Sequence, residues 1–346
     1  MSLTDLKRKT GAEDRQDLGR RGQVIIWLFL LFLLSFLLSA AVGSVTISLS
    51  DMAAVLAGEG QPMHRNILFH IRLPRTAACA LAGGGLAVAG AVIQNVLQNP
   101  LAGPNIIGVN AGAGLAVVVC SYCFPTSFGL MPAAAFLGAL SAMLFIYGLA
   151  KKTGASKVTL VLAGVSVNSL LNAASDMVHT FGNDTLTSTY SFRLGGFGGV
   201  SVQVLIPAGI LIGIAFLLVC LFSNELEVLS MGEEMASSLG LNTRAFRFLF
   251  LVLAAVLAGA SVSFAGLLGF VGLIAPHIAR RLVGEECRYL LPFCALFGAC
   301  FVMVCDLAAR TLWSPYEIPT GILLSFVGAP FFLSLLFRQR RRSRHD

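Results

Sequence analysis

The chain has 346 residues, of which 56% are hydrophobic and only 12% are charged, and its mean hydropathy is +0.83. A soluble domain carries about 25% charged residues, so this composition excludes a water-soluble globular protein and indicates one surrounded largely by lipid. The net charge of +7 does not indicate nucleic-acid binding, because the basic residues sit at both ends and in short loops, and no basic stretch is interleaved with aromatic residues.

The apolar residues form long continuous runs, which are typical of membrane-spanning helices and unlike the alternating strands of a membrane barrel. Since a span needs about 20 apolar residues, the sequence predicts an all-α integral membrane protein with about ten transmembrane helices. A tail at 1–23 precedes the membrane domain 24–337, and a basic tail at 338–346 follows it. The predicted spans are 24–43, 76–97, 105–123, 129–150, 158–180, 200–222, 246–267, 270–283, 290–312 and 320–337.

The distribution of charge predicts the orientation of these spans. If both termini are cytoplasmic, 19 of the 24 Lys and Arg residues lie on the inner side, which is the asymmetry that the positive-inside rule demands. The third and eighth spans are short and rich in glycine, but omitting either would invert the loops beyond it and spoil this asymmetry. The basic residues predicted outside are Arg65, Arg72, Arg75, Arg193 and Arg310.

A weak internal repeat links the second and seventh spans. Residues 81–90 (LAGGGLAVAG) and 257–266 (LAGASVSFAG) share five of ten positions, and the two spans are predicted to run in opposite directions. An inverted repeat is a recurring plan of transporters. Small residues on helix-packing faces also look alike by chance, so both interpretations stay open.

The fifth span carries a polar stripe of Asn168, Asn172, Asp176 and Thr180, each four residues apart and so on one helical face. Polar side chains inside a membrane need water or a partner. The stripe either lines a water-filled passage or forms hydrogen bonds with neighbouring helices, and Asp176 favours the passage.

Three arginines on the predicted outer side form a second candidate site. Asp306 and Arg310 have the spacing and order of an ion pair within a helix, so Arg310 either neutralises Asp306 or meets a partner. Arg72 and Arg75 run against the positive-inside rule. They either extend from a helix start towards the headgroups or face an acidic surface of an extracytoplasmic protein.

The longest polar loop, 224–246, contains Gly232-Glu-Glu-Met-Ala-Ser-Ser-Leu-Gly240. Acidic residues at its start and glycine at its end predict a short helix, which is marginal alone and needs another protein surface. The chain has no Gly-x-x-x-x-Gly-Lys-Ser/Thr motif for nucleotide phosphates, and its histidines and eight cysteines show no trustworthy metal spacing. We therefore expect no catalytic, cofactor or metal site, and a structural or incidental role for Cys120 and Cys123, whose pairing stays open.

These motifs together resemble the FecCD family of ABC permeases, which import iron–siderophore complexes, haem and cobalamin. The resemblance covers nearly the whole chain after about residue 65. It is carried by Arg72-Leu-Pro-Arg75, Gln94, Asn99-Pro-Leu-Ala102, Leu162-Ala-Gly-Val165, Gly232-Glu233…Ala236…Leu239-Gly240, Gly269-Phe-Val-Gly-Leu-Ile-Ala-Pro-His-Ile-Ala-Arg280, Asp306…Ala309-Arg310 and Gly328-Ala-Pro-Phe331.

The resemblance implies the permease architecture of a type II ABC importer in a bacterial cytoplasmic membrane. It implies a second copy of the chain, two ATP-binding subunits that hold ATP and magnesium, and an extracytoplasmic substrate-binding protein. It further implies that Arg72, Arg75 and Arg310 face that binding protein. The residues implied to couple the permease to the ATPase are Gly232, Glu233, Glu234, Ala236, Leu239 and Gly240. The residues implied to line the translocation path are Asn168, Asn172, Asp176 and Thr180.

Two departures from the family pattern weaken the substrate assignment more than the mechanism. Family members often have arginine where this chain has Gln98, and many have a tryptophan and a Gly-Ser step where it has Phe192-Arg-Leu-Gly-Gly196. The sequence thus predicts an importer of ferric siderophore or haem. A cobalamin importer of the same family, an ion-driven secondary transporter and a scaffolding membrane protein are the alternatives.

Overall fold

The computed structural model describes residues 3–43, 54–55, 57–59, 61–152, 157–181 and 187–342. The described part of the chain is helical, with no strand among these residues. The helices are α1 Leu3–Ala41, α2 Pro62–Leu97, α3 Val109–Cys123, α4 Met131–Lys152, α5 Lys157–Phe181, α6 Thr187–Leu194, α7 Val202–Leu221, α8 Ser223–Ser230, α9 Glu233–Ser238, α10 Thr243–Ala265, α11 Val271–Val283, α12 Cys287–Thr311 and α13 Thr320–Arg342.

A helix lies at each of the ten predicted spans. Seven of the described helices are long and apolar enough to cross a membrane, and α3 and part of α13 are shorter apolar helices. The helix at the eighth span, α11, has 13 residues, which is about 20 Å and less than a hydrocarbon core of about 30 Å. A break between α10 and α11 shortens it, because Gly266 and Phe270 both have positive φ angles.

The second helix begins at Pro62, well before the predicted start of its span at residue 76. The helix also contains Pro74, which lacks the N–H that an internal helix position normally donates. In the structure, Ile67–Arg72 forms a π-helical segment that joins Pro62–Asn66 to Leu73–Leu97. Such wide turns occur inside longer helices and often at functional sites.

The core of the protein forms around α2 and α10, which are mostly buried, whereas α1, α5 and α7 are mostly exposed. Glycines allow the backbones of α2 and its neighbours to meet. A methyl group at Gly83 would overlap the carbonyl oxygen of Gly298 in α12, and one at Gly90 would overlap that of Gly272 in α11. This small-residue packing is the usual means of joining helices in a membrane.

The two helices of the sequence repeat contact each other, but their last glycines have different environments. Gly85 of α2 faces Ser261 of α10, and Gly90 lies against Gly272. Gly266, the counterpart of Gly90, instead ends α10 with a positive φ. Close packing therefore accounts for the glycines of α2, and the inverted repeat stays a prediction.

The basic residues whose contacts are described lie at two ends of the helices. Arg21 pairs with Glu286, Arg280 contacts Gln94, and Arg247 pairs with Glu233. We call this the basic end. The opposite end holds Arg72, Arg75, Arg193 and Arg310.

Candidate functional site

At the opposite end, Asp306 of α12 is fully buried and holds two arginines. Arg75 contacts both of its carboxylate oxygens, Nη2 to Oδ1 at 3.0 Å and Nε to Oδ2 at 3.1 Å. Arg310 Nε lies 3.1 Å from Oδ2, and Thr320 donates a hydrogen bond to Oδ1 at 2.9 Å. The ion pair predicted from the spacing of Asp306 and Arg310 is confirmed, and Arg75 joins it from α2.

Further contacts of these arginines reach the end of α1 and the residue that follows it. Arg310 donates to the carbonyl oxygens of Ser39 and Val42 at 2.8 and 3.1 Å, and Arg72 donates to that of Ala41. Carbonyls in the last turn of a helix lack intrahelical partners, so these arginines complete the end of α1. We call Arg72, Arg75, Asp306 and Arg310 the arginine cluster.

The three arginines predicted to face a binding protein thus differ in exposure. Arg72 and Arg310 are buried, while Arg75 is partly exposed and also pairs with the exposed Glu317 at 2.8 Å. Burial gives Arg72 and Arg310 a structural role within the chain. Of the arginine cluster, Arg75 reaches the surface, where it pairs with Glu317.

The polar stripe of α5 lies on one helix, as predicted, and most of it is exposed in the single chain. Asn172, Asp176 and Thr180 are exposed, whereas Asn168 is partly buried and donates to the carbonyl oxygen of Asn105. Asp176 forms an ion pair with Arg193 of α6, with 3.2 Å between Oδ1 and Nη1. The structure brings the stripe next to α6 and not next to the arginine cluster.

A cavity of about 690 Å³ separates α6 from the arginine cluster. It is bordered by Arg75, Glu317 and residues on either side of Arg193, at 190–192 and 194–198. Backbone contacts fix this border: Gly196 N–H donates to Ala265 at 2.8 Å, and Gly321 N–H donates to Gly195 at 3.1 Å. The segment that departs from the family pattern therefore forms a tight junction between α6, α10 and α13.

At the basic end, the predicted short helix is present as α9, Glu233–Ser238. Gly232 and Gly240 border it with φ angles of 119° and 84°, which explains why glycine occurs at both ends. Ala236 is fully buried and anchors the helix, and Glu233 pairs with the buried Arg247 at 2.7 Å. Glu234 and Leu239 are exposed.

The segment before α9 is held by α2. Gln98, which ends α2 in the left-handed region, donates from Nε2 to the carbonyl oxygens of Ser230 and Leu229 at 2.9 and 3.3 Å. These are the last carbonyls of α8, and hydrogen bonds to such groups satisfy a helix end. Gln98 is a residue that the sequence marked only as a departure from the family pattern.

We expect Gln98→Ala to loosen the segment 226–240. The loss of two hydrogen bonds, each worth roughly 0.5–1.5 kcal/mol, should raise the rate of amide hydrogen exchange there by about tenfold. Gln98→Arg, which restores donors and the common family residue, should exchange like the wild type. Equal exchange in Gln98→Ala and wild type would show that α2 does not hold this segment.

A buried polar chain continues from α2 to α11 and α12. Arg280 donates to Gln94 and, at 3.0 Å, to Asn95, and Gln94 donates to the carbonyl oxygen of Gly272 at 3.2 Å. Cys287 N–H donates to Glu227 of α8 at 3.2 Å. Gln94 and Arg280 both belong to motifs of the sequence. Their contact joins residues 186 positions apart, so no local sequence pattern predicts it.

The cysteines are free thiols, and most lie buried in helices as small apolar residues. Cys120 is partly buried and Cys123 exposed at the end of α3. Neither contacts the arginine cluster, the polar stripe or α9 through a hydrogen bond among the residues described.

The sequence matches the FecCD transport family over residues 30–338. An Fe(3+)-citrate import system permease protein of Bacillus subtilis is 36% identical over 323 residues, which cover 92% of this chain and 96% of that protein. A hemin transport system permease protein of Yersinia pestis is 36% identical, with 93% and 98% covered. A solved structure described as an inward-facing metal-chelate type ABC transporter has a TM-score of 0.83 at 28% identity, with 92% and 99% covered. The chain therefore belongs to the FecCD transport family, as its motifs predicted.

Proposed function

We propose that this chain is the transmembrane permease subunit of an ABC importer that carries an iron complex, a ferric siderophore or haem, into a bacterial cell. The observation that carries the proposal is the surface around α9. Met231, Met235 and Leu239 are exposed there, four residues apart, beside the carboxylates of Glu233 and Glu234. Clustered exposed apolar side chains on a polar loop indicate a contact with another protein, and an ATP-hydrolysing subunit is the partner that this family requires.

The relatives favour an iron complex over cobalamin. They include permeases named for Fe(3+)-citrate, hemin, achromobactin and iron(3+)-hydroxamate. The geometry at Asp176 argues against an ion-driven transporter, because the charge of this carboxylate is already balanced by Arg193 of the same chain.

In the proposed mechanism, a second copy of the chain covers the exposed polar face of α5, and the two copies enclose a water-filled passage. Asn172, Asp176 and Thr180 then line that passage, where water satisfies them. ATP binding and hydrolysis in two partner subunits move α9, which is joined to α10 by the Glu233–Arg247 ion pair. The two copies rock and open the passage alternately to the two sides. This chain itself holds no ATP or magnesium.

The basic end faces the cytoplasm in this proposal, because basic loops are retained on that side. Both termini are then cytoplasmic, and the cavity bordered by Arg75 and Glu317 opens outwards. A substrate-binding protein docks there on Arg75, at a surface that the buried Arg72 and Arg310 hold in place through α1.

The test is ATP-dependent uptake into liposomes that contain this chain with its candidate ATPase and loaded binding protein. We expect Met235→Asp to abolish ATPase association and uptake, because it places a charge in an apolar contact. Met63→Asp is the matched control, since Met63 at the opposite end is 61% exposed and Met235 is 56% exposed. Met63→Asp should associate with the ATPase as the wild type does.

Uptake of an iron-loaded siderophore or haem in preference to cobalamin would support the substrate class. If Met235→Asp binds the ATPase and transports normally, the surface around α9 is not the coupling contact. Transport that follows an ion gradient without any ATPase would replace the importer with a secondary transporter.

A further inference from the structure

A second cavity, of about 670 Å³, opens at the basic end between the last turn of α4, the first turns of α5 and the start of α10. The transport mechanism proposed above does not use it. Its volume lies in the range of about 300–1,000 Å³ that is common for small-molecule sites. Its described lining combines three cationic side chains with aromatic and aliphatic ones.

The charge of this cavity favours an anion. Lys151 and Arg244 are exposed at its rim, and Arg247 is buried at its base, where it pairs with Glu233. No carboxylate occurs among the described residues that line it. The N-terminus of α10 also opens here, capped by Asn242, which accepts the N–H of Ala245 at 3.2 Å. The positive end of a helix adds to the attraction for a negative group.

The apolar part of the lining distinguishes this cavity from a simple phosphate site. The rings of Tyr147 and Phe248 lie 5.1 Å apart between their centroids, and the buried Leu160 lies beside them. Leu144 is exposed and shares a face of α4 with Tyr147 and Lys151, because these residues are three and seven positions apart. The cationic rim therefore continues into an apolar surface that runs along a membrane-spanning helix.

We propose that this cavity binds the headgroup of an anionic phospholipid. The phosphate lies between Lys151 and Arg244, and an acyl chain follows Tyr147 and Leu144 towards the hydrocarbon. Basic pockets between membrane helices bind anionic lipid headgroups in this way. Inorganic phosphate offers the same charge but has no acyl chain to cover the apolar surface.

The ion pair of Arg247 with Glu233 places the bound headgroup next to α9. The lipid therefore also sets the strength with which the permease stimulates its ATPase. This consequence depends on the proposed function, whereas the binding of lipid does not. The two can fail separately, since lipid binding is measured on the permease alone.

The experiment titrates the purified full-length chain in detergent with phosphatidylglycerol, phosphatidylcholine or inorganic phosphate, and native mass spectrometry counts the retained ligand. We expect phosphatidylglycerol to bind best. The double variant Lys151→Ala/Arg244→Ala should bind it roughly 30-fold more weakly, since each basic residue near an anionic lipid contributes about a factor of five. Lys151→Arg/Arg244→Lys keeps both charges and should retain binding. Arg281→Ala/Arg288→Ala removes two exposed cations of the basic end outside the cavity and is the matched control.

Equal phosphatidylglycerol binding in wild type and Lys151→Ala/Arg244→Ala would overturn the proposal. Inorganic phosphate that binds as tightly as the lipid would overturn it in favour of a soluble anion. If Lys151→Ala/Arg244→Ala keeps the lipid but no longer binds the ATPase, the cavity is a protein contact and the lipid assignment is wrong.

Discussion

Asp306→Ala should lower the free energy of unfolding by about 3–5 kcal/mol, which is the cost of leaving a buried charge without its partner. The carboxylate is fully buried and lies between Arg75 and Arg310. Its removal leaves two guanidinium groups, repelling each other, where α2, α12 and the end of α1 meet. We expect a large fall in the melting temperature of the purified protein and a loss of transport.

Glu317→Ala is the matched control for this variant. Glu317 pairs with the same arginine, Arg75, but its side chain is 43% exposed, and an exposed ion pair contributes about 0–1 kcal/mol. Its melting temperature should therefore stay close to that of the wild type. If Asp306→Ala and Glu317→Ala unfold at the same temperature, the buried carboxylate does not hold these helices together.

Gly90→Ala should also destabilise the protein strongly, although it adds a single methyl group. That methyl group would overlap the carbonyl oxygen of Gly272 and lie about 2.5 Å from its carbonyl carbon and Cα. All three are backbone atoms and cannot rotate away, so α2 and α11 must separate. Overpacking of this kind costs about 1–3 kcal/mol, and the shift also strains the hydrogen bond from Gln94 to Gly272.

The same substitution at Gly213 should stabilise the protein, which is the opposite of the effect expected at Gly90. A methyl group there meets no atom within 4 Å, so Gly213→Ala in α7 should gain up to about 1 kcal/mol from the higher helix propensity of alanine. The measurement is the melting temperature of Gly90→Ala and of Gly213→Ala in the same detergent, each compared with the wild type. A Gly90→Ala protein as stable as Gly213→Ala would contradict the close approach of α2 to α11.

The positions of the helices were predictable because apolar runs and the distribution of Lys and Arg are local signals. The start of α2 was not, since the π-helical segment Ile67–Arg72 that joins Pro62–Asn66 to the rest of the helix has no signature in the sequence. The short helix α9 was predictable from its acidic first turn and its flanking glycines. Its exposed apolar side chains need the structure, because exposure depends on what packs nearby.

Long-range polar contacts mark the limit of prediction at the site. The spacing of Asp306 and Arg310 predicted their ion pair, but the contact of Arg75 with Asp306 joins residues 231 positions apart. In the sequence, Lys151 and Arg244 are only two of the 19 basic residues that predict the orientation of the spans. The structure places both around one cavity. The sequence shows Gln98 only as a departure from the family pattern. The structure shows that its side-chain amide donates a hydrogen bond at the end of α8. In each case the partner comes from a different helix, and no local pattern records it.

The contacts between the arginine cluster and α1 have a consequence for biosynthesis. Arg310 meets Ser39 across 271 positions of the chain, so α1 is synthesised long before the helix that completes its end. During translation, the carbonyl of Ala41 can already meet Arg72 of α2, whereas those of Ser39 and Val42 lack the donor that Arg310 of α12 supplies. A chain that lacks α12 therefore leaves the carbonyl groups of Ser39 and Val42 without these donors.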